Sequence, residues 1–182
     1  VWLIVLVILP LMTSVVVRTF GWMALLNRNG LVTEALRSLG LVDRTFAFMH
    51  TEFAIVIGMS QVLLPFMALS IIGVINRIDI QLEQAARTMG CGFFGALRFV
   101  VLPLAVPGIV AGSLLVFALS VSSFITPHLL GGPRILLLAA SIYRSVTQTL
   151  EWNFAAAQAI ILVVGVGLIM VPYALVTGRR NG

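Results

Sequence analysis

Apolar residues along this chain fall into long unbroken blocks separated by short polar stretches. Val1 to Val17, Phe53 to Asn76, Phe99 to Pro133 and Trp152 to Gly178 contain no Asp, Glu, Lys or Arg. A helix that crosses a hydrocarbon core needs about 20 residues, with a range of about 17–25. The blocks carry internal Gly and Pro and lack the alternation of a membrane barrel strand. Helices are then the way their backbone groups find partners in lipid. The pattern predicts four spans, at about Val1 to Leu26, Phe53 to Ile75, Leu104 to Ile125 and Phe154 to Val176.

Between the blocks, Asn27-Arg28-Asn29-Gly30 reads as a turn. Thr33 to Leu39 reads as a short surface helix, with Thr33 as its cap, Leu36 and Leu39 on one face and Gly40 as its stop. Pro127 to Gly132 is a Gly- and Pro-rich break. Ile135 to Leu150 carries apolar residues at Ile135, Leu138, Ala139, Ile142, Val146 and Leu150, a helical stripe interrupted by Arg144, Thr147 and Gln148. An interfacial or re-entrant helix is expected there.

Composition sharpens the class. Charged residues make up 9% of the 182 residues, against roughly 25% in a soluble domain. Mean hydropathy is +1.14. All 11 basic residues are arginine. They sit in loops and at block ends, the ordinary membrane-flank pattern, so the basic balance points to a lipid bilayer and not to nucleic acid. With no lysine the chain lacks a Walker A loop, whose Lys holds nucleotide phosphates. Cys91, the single cysteine, forms no intrachain disulfide and reads as a small apolar filler. His50 and His128 are far apart and have no neighbouring ligands, so no metal is expected. Glu52 and Glu151 border spans and read as interfacial carboxylates. No cofactor is implied.

Arginine counting leaves orientation open. Four spans put Arg77, Arg87, Arg98, Arg179 and Arg180 on one side and Arg18, Arg28, Arg37, Arg44, Arg134 and Arg144 on the other. The chain opens at Val1 inside an apolar run without an initiator Met. The expectation is a processed N-terminus or a piece of a longer protein; Leu11 to Trp22 does not have the form of a cleavable signal.

The informative segment runs from Asp79 to Gly112. Asp79 is placed to cap a helix, with Glu83 in its first turn, where the dipole favours an acid. Leu82, Ala85, Ala86 and Met89 fall on one face, and Gln81, Gln84 and Thr88 on the other side. Gly90 stands where a helix stops with a left-handed residue. Such a short helix, with a narrow apolar face and a small centre, fits a groove on another protein. Arg87 and Arg98 are placed to meet lipid phosphates or an acidic partner. Phe93, Phe94, Leu97 and Phe99 are placed to hold the segment against the bundle, and Pro103 and Pro107 mark entry into the next span.

Gln84-Ala85-Ala86, three residues, Gly90, nine residues, Val100, one residue, then Leu102-Pro103 resembles the EAA loop of bacterial binding-protein-dependent ABC importers. The departure is Gln84, where that family has Glu; Glu83 stands just before it. Leu64-Pro65-Phe66-Met67, Pro107 to Gly112, Leu130 to Pro133 and Val17 to Trp22 extend the resemblance over essentially the whole chain, most closely to permeases of the spermidine/putrescine branch. The resemblance implies an all-α, polytopic bundle with the type I importer permease fold. Residues 1–182 would form one transmembrane domain lacking about two N-terminal helices, and residues 77–103 would form a cytoplasmic coupling loop. Glu83, Gln84, Ala85, Ala86, Arg87, Gly90 and Pro103 would couple the chain to a separate ABC ATPase dimer. Other implied partners are a second permease subunit, an extracytoplasmic solute-binding protein and the lipid bilayer of the bacterial inner membrane.

Two further sets of residues have alternative readings. Gly108 and Gly112 form a GxxxG step, suited to packing within the chain or to a dimer seam. Ser120, Ser122, Ser123 and Thr126 make one end of the third block hydroxylic, as a lining of the translocation path or as packing contacts. An ion-coupled transporter or channel usually carries charged or coordinating groups within its spans, and the long blocks have none. A membrane-embedded enzyme would need a nucleophile, carboxylate pair or metal cluster, and none is visible.

Overall fold

The computed structural model describes residue 5, residues 7–40 and residues 48–178. The expected start of the first span at Val1, Arg44 and the closing Arg179-Arg180 pair lie outside the described residues. The described residues form helices α1 (Val15–Leu26), α2 (Leu31–Ser38), α3 (Glu52–Ile75), α4 (Ile80–Thr88), α5 (Phe93–Ser122), α6 (Ile125–Gly131), α7 (Leu138–Thr147) and α8 (Trp152–Gly178). This is an all-α membrane bundle.

Three helices among the described residues are long and apolar enough to cross a membrane: Glu52–Ile75, Phe93–Ser122 and Trp152–Tyr173. The expected first span is not a single helix. A 3-10 turn, Leu9–Met12, holds Pro10 near its start, and Thr13 and Ser14 are extended (ψ 137° and 134°) before α1 begins. The 12 residues of α1 rise only about 18 Å, short of a core about 30 Å thick.

The third span starts about ten residues before the expected Leu104. A π turn, Leu97–Val101, joins Phe93–Ala96 to Leu102–Ser122 in one rod. Pro103 accounts for the π turn. In a regular helix its ring would press on the carbonyl of Phe99, four residues back, and its missing N–H would leave that carbonyl unpaired. Widening the turn, with Leu102 N–H donating to Leu97 O, relieves both. The segment expected as a Gly- and Pro-rich break, Pro127 to Gly132, is mostly helical. Pro127 lies in the first turn of α6, where no N–H is needed, and the chain turns only at Gly132, with φ +62°. The helix expected over Ile135 to Leu150 is shorter, Leu138–Thr147, and Ile135 precedes it in extended backbone.

In α2 the cap position is Gly30; Thr33 lies inside the helix, buried, and its hydroxyl donates to Asn27 O at 2.9 Å. Leu39 is exposed and closes the helix, while Leu36 is half-buried, and Gly40 takes the expected left-handed conformation at φ +71°.

The two central spans, α3 and α5, lie antiparallel in close contact. Gly108 sits against Val74 and Ser70, and one turn on, Gly112 sits against Met67 and Ser70. α5 ends part-way along α3, and α6 continues the rod, with Thr126 and Leu130 against Gly58 and Gly131 against Ile55. Leu26 of α1, Ala54, Ile55, Met59 and Leu63 of α3 and Leu130 of α6 form the buried cluster. The chain's own core therefore occupies the half of the bundle near the start of α3. α8 pairs with α7 through Gln158, which donates to Ser141 Oγ at 2.9 Å. Only 6% of its most apolar stretch is buried within the chain, so lipid or other helices must cover the rest.

Candidate functional site

At the end of the bundle away from the buried cluster, α3 and α5 are joined by α4, and α4 has no buried residue. A helix of nine residues has little intrinsic stability in water, so its ends carry much of the burden. Asp79 accepts from the Gln81 N–H at 2.9 Å, closing the N-terminus. At the other end Gly90 N–H donates to Arg87 O at 3.0 Å and Cys91 N–H to Ala86 O at 3.1 Å, with Gly90 at φ +89°. This pair of bonds is a Schellman closure, and it needs a residue that tolerates positive φ. Glu83 and Arg87 pair one turn apart, and the Arg87 guanidinium lies 5.6 Å from the centre of the Phe93 ring. Glu83 thus ties α4 to the first turn of α5 through Arg87.

Faces of α4 divide the residues singled out from sequence. Glu83 is half-buried and lines a cavity of about 360 Å³ with Ile75, Asn76, Ile78, Asp79, Ile80 and Val101. Gln84 and Ala85 are exposed, and Ala86 is half-buried. Leu82, Met89 and Phe94 stand open at 49%, 86% and 81% exposure. Each such side chain gains about 1.5–3 kcal/mol when fully buried, so this surface is built to be covered. Glu83 faces its own bundle and is engaged by Arg87. Gln84, by contrast, is exposed and carries a neutral amide. Pro103 lies inside the long third span, directly after the π turn.

The hydroxyl-rich end of α5 lies at a helix break. Ser123 is extended (ψ 129°), its N–H donating to Ser120 O at 3.2 Å. Ser120 lines a groove with Ser60, Leu63, Leu64, Met67 and Val116. Ser122 and Ser123 line a second, with Val15, Val62 and Phe66 among its walls. Ser122 is exposed and its hydroxyl donates to Ala118 O at 2.9 Å. Thr126 differs from the three serines. It is 1% exposed and its hydroxyl pairs with that of Thr19 at 3.1 Å, while Thr19 also donates to Val15 O. That hydroxyl packs α6 on α1. Gly108 and Gly112 face α3, and Ser70 Oγ donates to Gly108 O at 3.1 Å. Close approach at these two glycines is between helices of one chain.

The remaining candidates have local roles. His50 has φ +62° and its N–H donates to Leu130 O at 2.9 Å; the His128 ring lies 6.3 Å from that of Tyr143. No group of three or more His, Cys, Asp or Glu able to hold a metal occurs among the described residues. Cys91 is half-buried beside Gly95.

The family model for the inner membrane component of binding-protein-dependent transport systems matches residues 1–179. The chain belongs to that family. It is 34% identical over 171 residues to the spermidine/putrescine transport system permease protein PotB of Haemophilus influenzae, covering 94% of this chain and 60% of the relative. Identity to Escherichia coli PotB is 33% over 171 residues, covering 94% and 62%. To the E. coli inner membrane ABC transporter permease protein YdcU it is 36% over 138 residues, covering 70% and 44%. The chain thus spans about three-fifths of the length of the PotB relatives.

Within this family member, sequence reading missed one residue of functional promise. Arg18 was expected near a membrane interface because it borders the first apolar block. It lies instead on the core-facing side of α1, with Thr19, Trp22, Met23 and Leu26, and its Nε and Nη1 are buried without a hydrogen-bond partner. The Oε1 of Gln61 on α3 is also buried without a donor. The available signal was the 3.6-residue spacing of Val15, Thr19, Trp22 and Leu26, which places position 18 beside that face.

Proposed function

We propose that this chain is the core of a permease subunit of an ATP-driven importer in the bacterial inner membrane. In this reading residues 1–182 form one transmembrane domain and residues 77–103 its cytoplasmic coupling loop. The observation that carries the reading is α4: a helix closed at both ends, exposed along its length and anchored through Arg87 and Phe93 to a membrane-spanning rod. A rigid lever of that kind transmits motion of whatever covers it to α3 and α5. Family membership supports an ABC ATPase dimer as the cover, with Gln84, Ala85 and Ala86 at the contact and Gly90 holding the helix end in shape. The chain itself is non-catalytic. ATP-driven closure of the ATPases would rock this subunit against a second, paralogous permease subunit, a rigid-body switch. A solute-binding protein would deliver cargo at the opposite face. PotB's name supports a polyamine as that cargo, with Ser120, Ser122 and Ser123 at the helix break as lining residues. Arg179-Arg180 would lie on the cytoplasmic side, with the Gln84 loop.

The test is copurification and uptake. An ATPase subunit should stay bound to the intact permease. Ala86→Leu and Gly90→Val should each release it while the permease still elutes as a folded particle. ATPase binding that survives both changes, together with spermidine uptake that proceeds without ATP, would sink the reading.

A further inference from the structure

We propose that Arg18 is the seat of a carboxylate near the middle of the membrane. The depth follows from contacts on both sides of it. Val15 shares a groove with Val62, Leu63 and Phe66, and Thr19 bonds to Thr126, which lies against Gly58. Residues 15–19 of α1 therefore run beside residues 58–66 of α3. The 24 residues of α3 have their midpoint between Leu63 and Leu64, so Arg18 lies within about 10 Å of the midplane along the helix axis.

A guanidinium at that depth needs an anion, because lipid and apolar side chains replace none of the water it loses. Its Nε and Nη1 are buried, so those two donors do not reach water by snorkelling outward. The described carboxylates are elsewhere. Glu34 is on the surface helix α2, Glu52 and Glu151 begin α3 and precede α8, and Asp79 and Glu83 lie on α4 at the far end of the bundle. The one ion pair among the described residues is Glu83 with Arg87. The Oε1 of Gln61, within the same window of α3, is also buried without a donor; as a neutral acceptor it leaves the charge of Arg18 uncompensated. Nε and Nη1 lie on different edges of the guanidinium, and a carboxylate supplies both the negative charge and the acceptor oxygens they lack, whereas a neutral acceptor supplies only the second.

The carboxylate comes either from the protein, on a neighbouring helix of the assembled transporter or at Asp43 outside the described residues, or from a solute on its way through. The experiment uses the complete purified transporter carrying Arg18→Met, which keeps length and removes charge, or Arg18→Lys, which keeps charge. A protein carboxylate predicts that Arg18→Met lowers the melting temperature of the complex by about 5 °C or more without solute, with Arg18→Lys losing clearly less. A solute carboxylate predicts that without solute Arg18→Met melts at or above the wild type, because it removes a charge that then has no partner. It also predicts that in proteoliposomes Arg18→Met lowers uptake of ornithine about tenfold or more, and Arg18→Lys less. Uptake of putrescine, which is ornithine without its carboxylate, would then be unchanged. If Arg18→Met performs as well as Arg18→Lys in both melting and uptake, the proposal is overturned. Melting does not depend on ATP coupling, so this outcome is separate from loss of the importer reading, which the ATPase copurification decides.

Discussion

Gly108→Ala offers a quantitative probe of the α3–α5 seam. A methyl carbon at position 108 would lie 2.8 and 2.9 Å from Val74 Cγ2 and Cβ and 3.2 Å from the carbonyl oxygen of Ser70. Carbon contacts settle at about 3.5–4.0 Å. Val74 Cβ and the Ser70 carbonyl belong to the frame of α3, so no rotamer change clears the overlap and the helices must part. Parting also stretches the 3.1 Å bond from Ser70 Oγ to Gly108 O. Overpacking of this kind costs about 1–3 kcal/mol, and a hydrogen bond between membrane helices averages about 0.6 kcal/mol. Together they predict a loss of about 1.6–3.6 kcal/mol, or about 3–14 °C in melting temperature for a domain of this size. Gly112→Ala should cost less, because its nearest contact is the flexible Met67 thioether, Sδ at 2.7 Å. Gly165→Ala on α8 meets nothing within 4 Å and should be neutral or slightly stabilising. Thermal unfolding of the detergent-purified proteins gives the ranking. Gly108→Ala melting at or above Gly165→Ala would refute the reasoning.

Two other substitutions test the division of roles. Thr126→Val removes the buried bond to Thr19, which keeps its bond to Val15 O; stability should fall by about 0.6–1.7 kcal/mol with the KM for uptake unchanged. A changed KM would put Thr126 on the solute path instead. Arg87→Ala breaks a pair whose side chains are 49% and 33% exposed. A screened helix pair contributes about 0.3–0.5 kcal/mol and the contact of the guanidinium with the Phe93 ring about 0.5–1 kcal/mol, so the melting temperature should fall by no more than about 6 °C. A much larger drop would mean that the anchoring of α4 to Phe93 carries more of the fold than the geometry indicates.

The membrane class was legible because apolar blocks of spanning length admit only a helical solution in lipid. α4 was legible for a different reason: its information is local. Asp79 caps the residues beside it, Glu83 meets Arg87 one turn away, and Gly90 sits at a conformation only nearby bonds require. The family spacing from Gln84 to Pro103 reinforced a pattern already present in the caps. Even there the π turn at Leu97–Val101 was not visible, because a proline predicts relief without specifying how the backbone finds it.

Tertiary structure decided whatever depended on depth or on facing another helix. Hydropathy gives Ser120, Ser122, Ser123 and Thr126 one character, yet only contact with α1 separates Thr126, paired to Thr19, from serines lining open grooves. The same spacing of Gly108 and Gly112 serves a seam within a chain or between chains, and only the tertiary structure brings both glycines against Val74, Ser70 and Met67 of α3. Arg18 lies at the edge of an apolar block in sequence but deep along α3 in space, because the chain breaks at Thr13 and Ser14 and α1 begins beside the middle of its neighbour. Amino-acid order thus determined the solvent the protein lives in and the helix it leaves exposed on a short loop. Packing of α1 and α6 on α3 decided which polar groups are satisfied inside the bundle, since desolvation depends on neighbours that sequence distance does not measure.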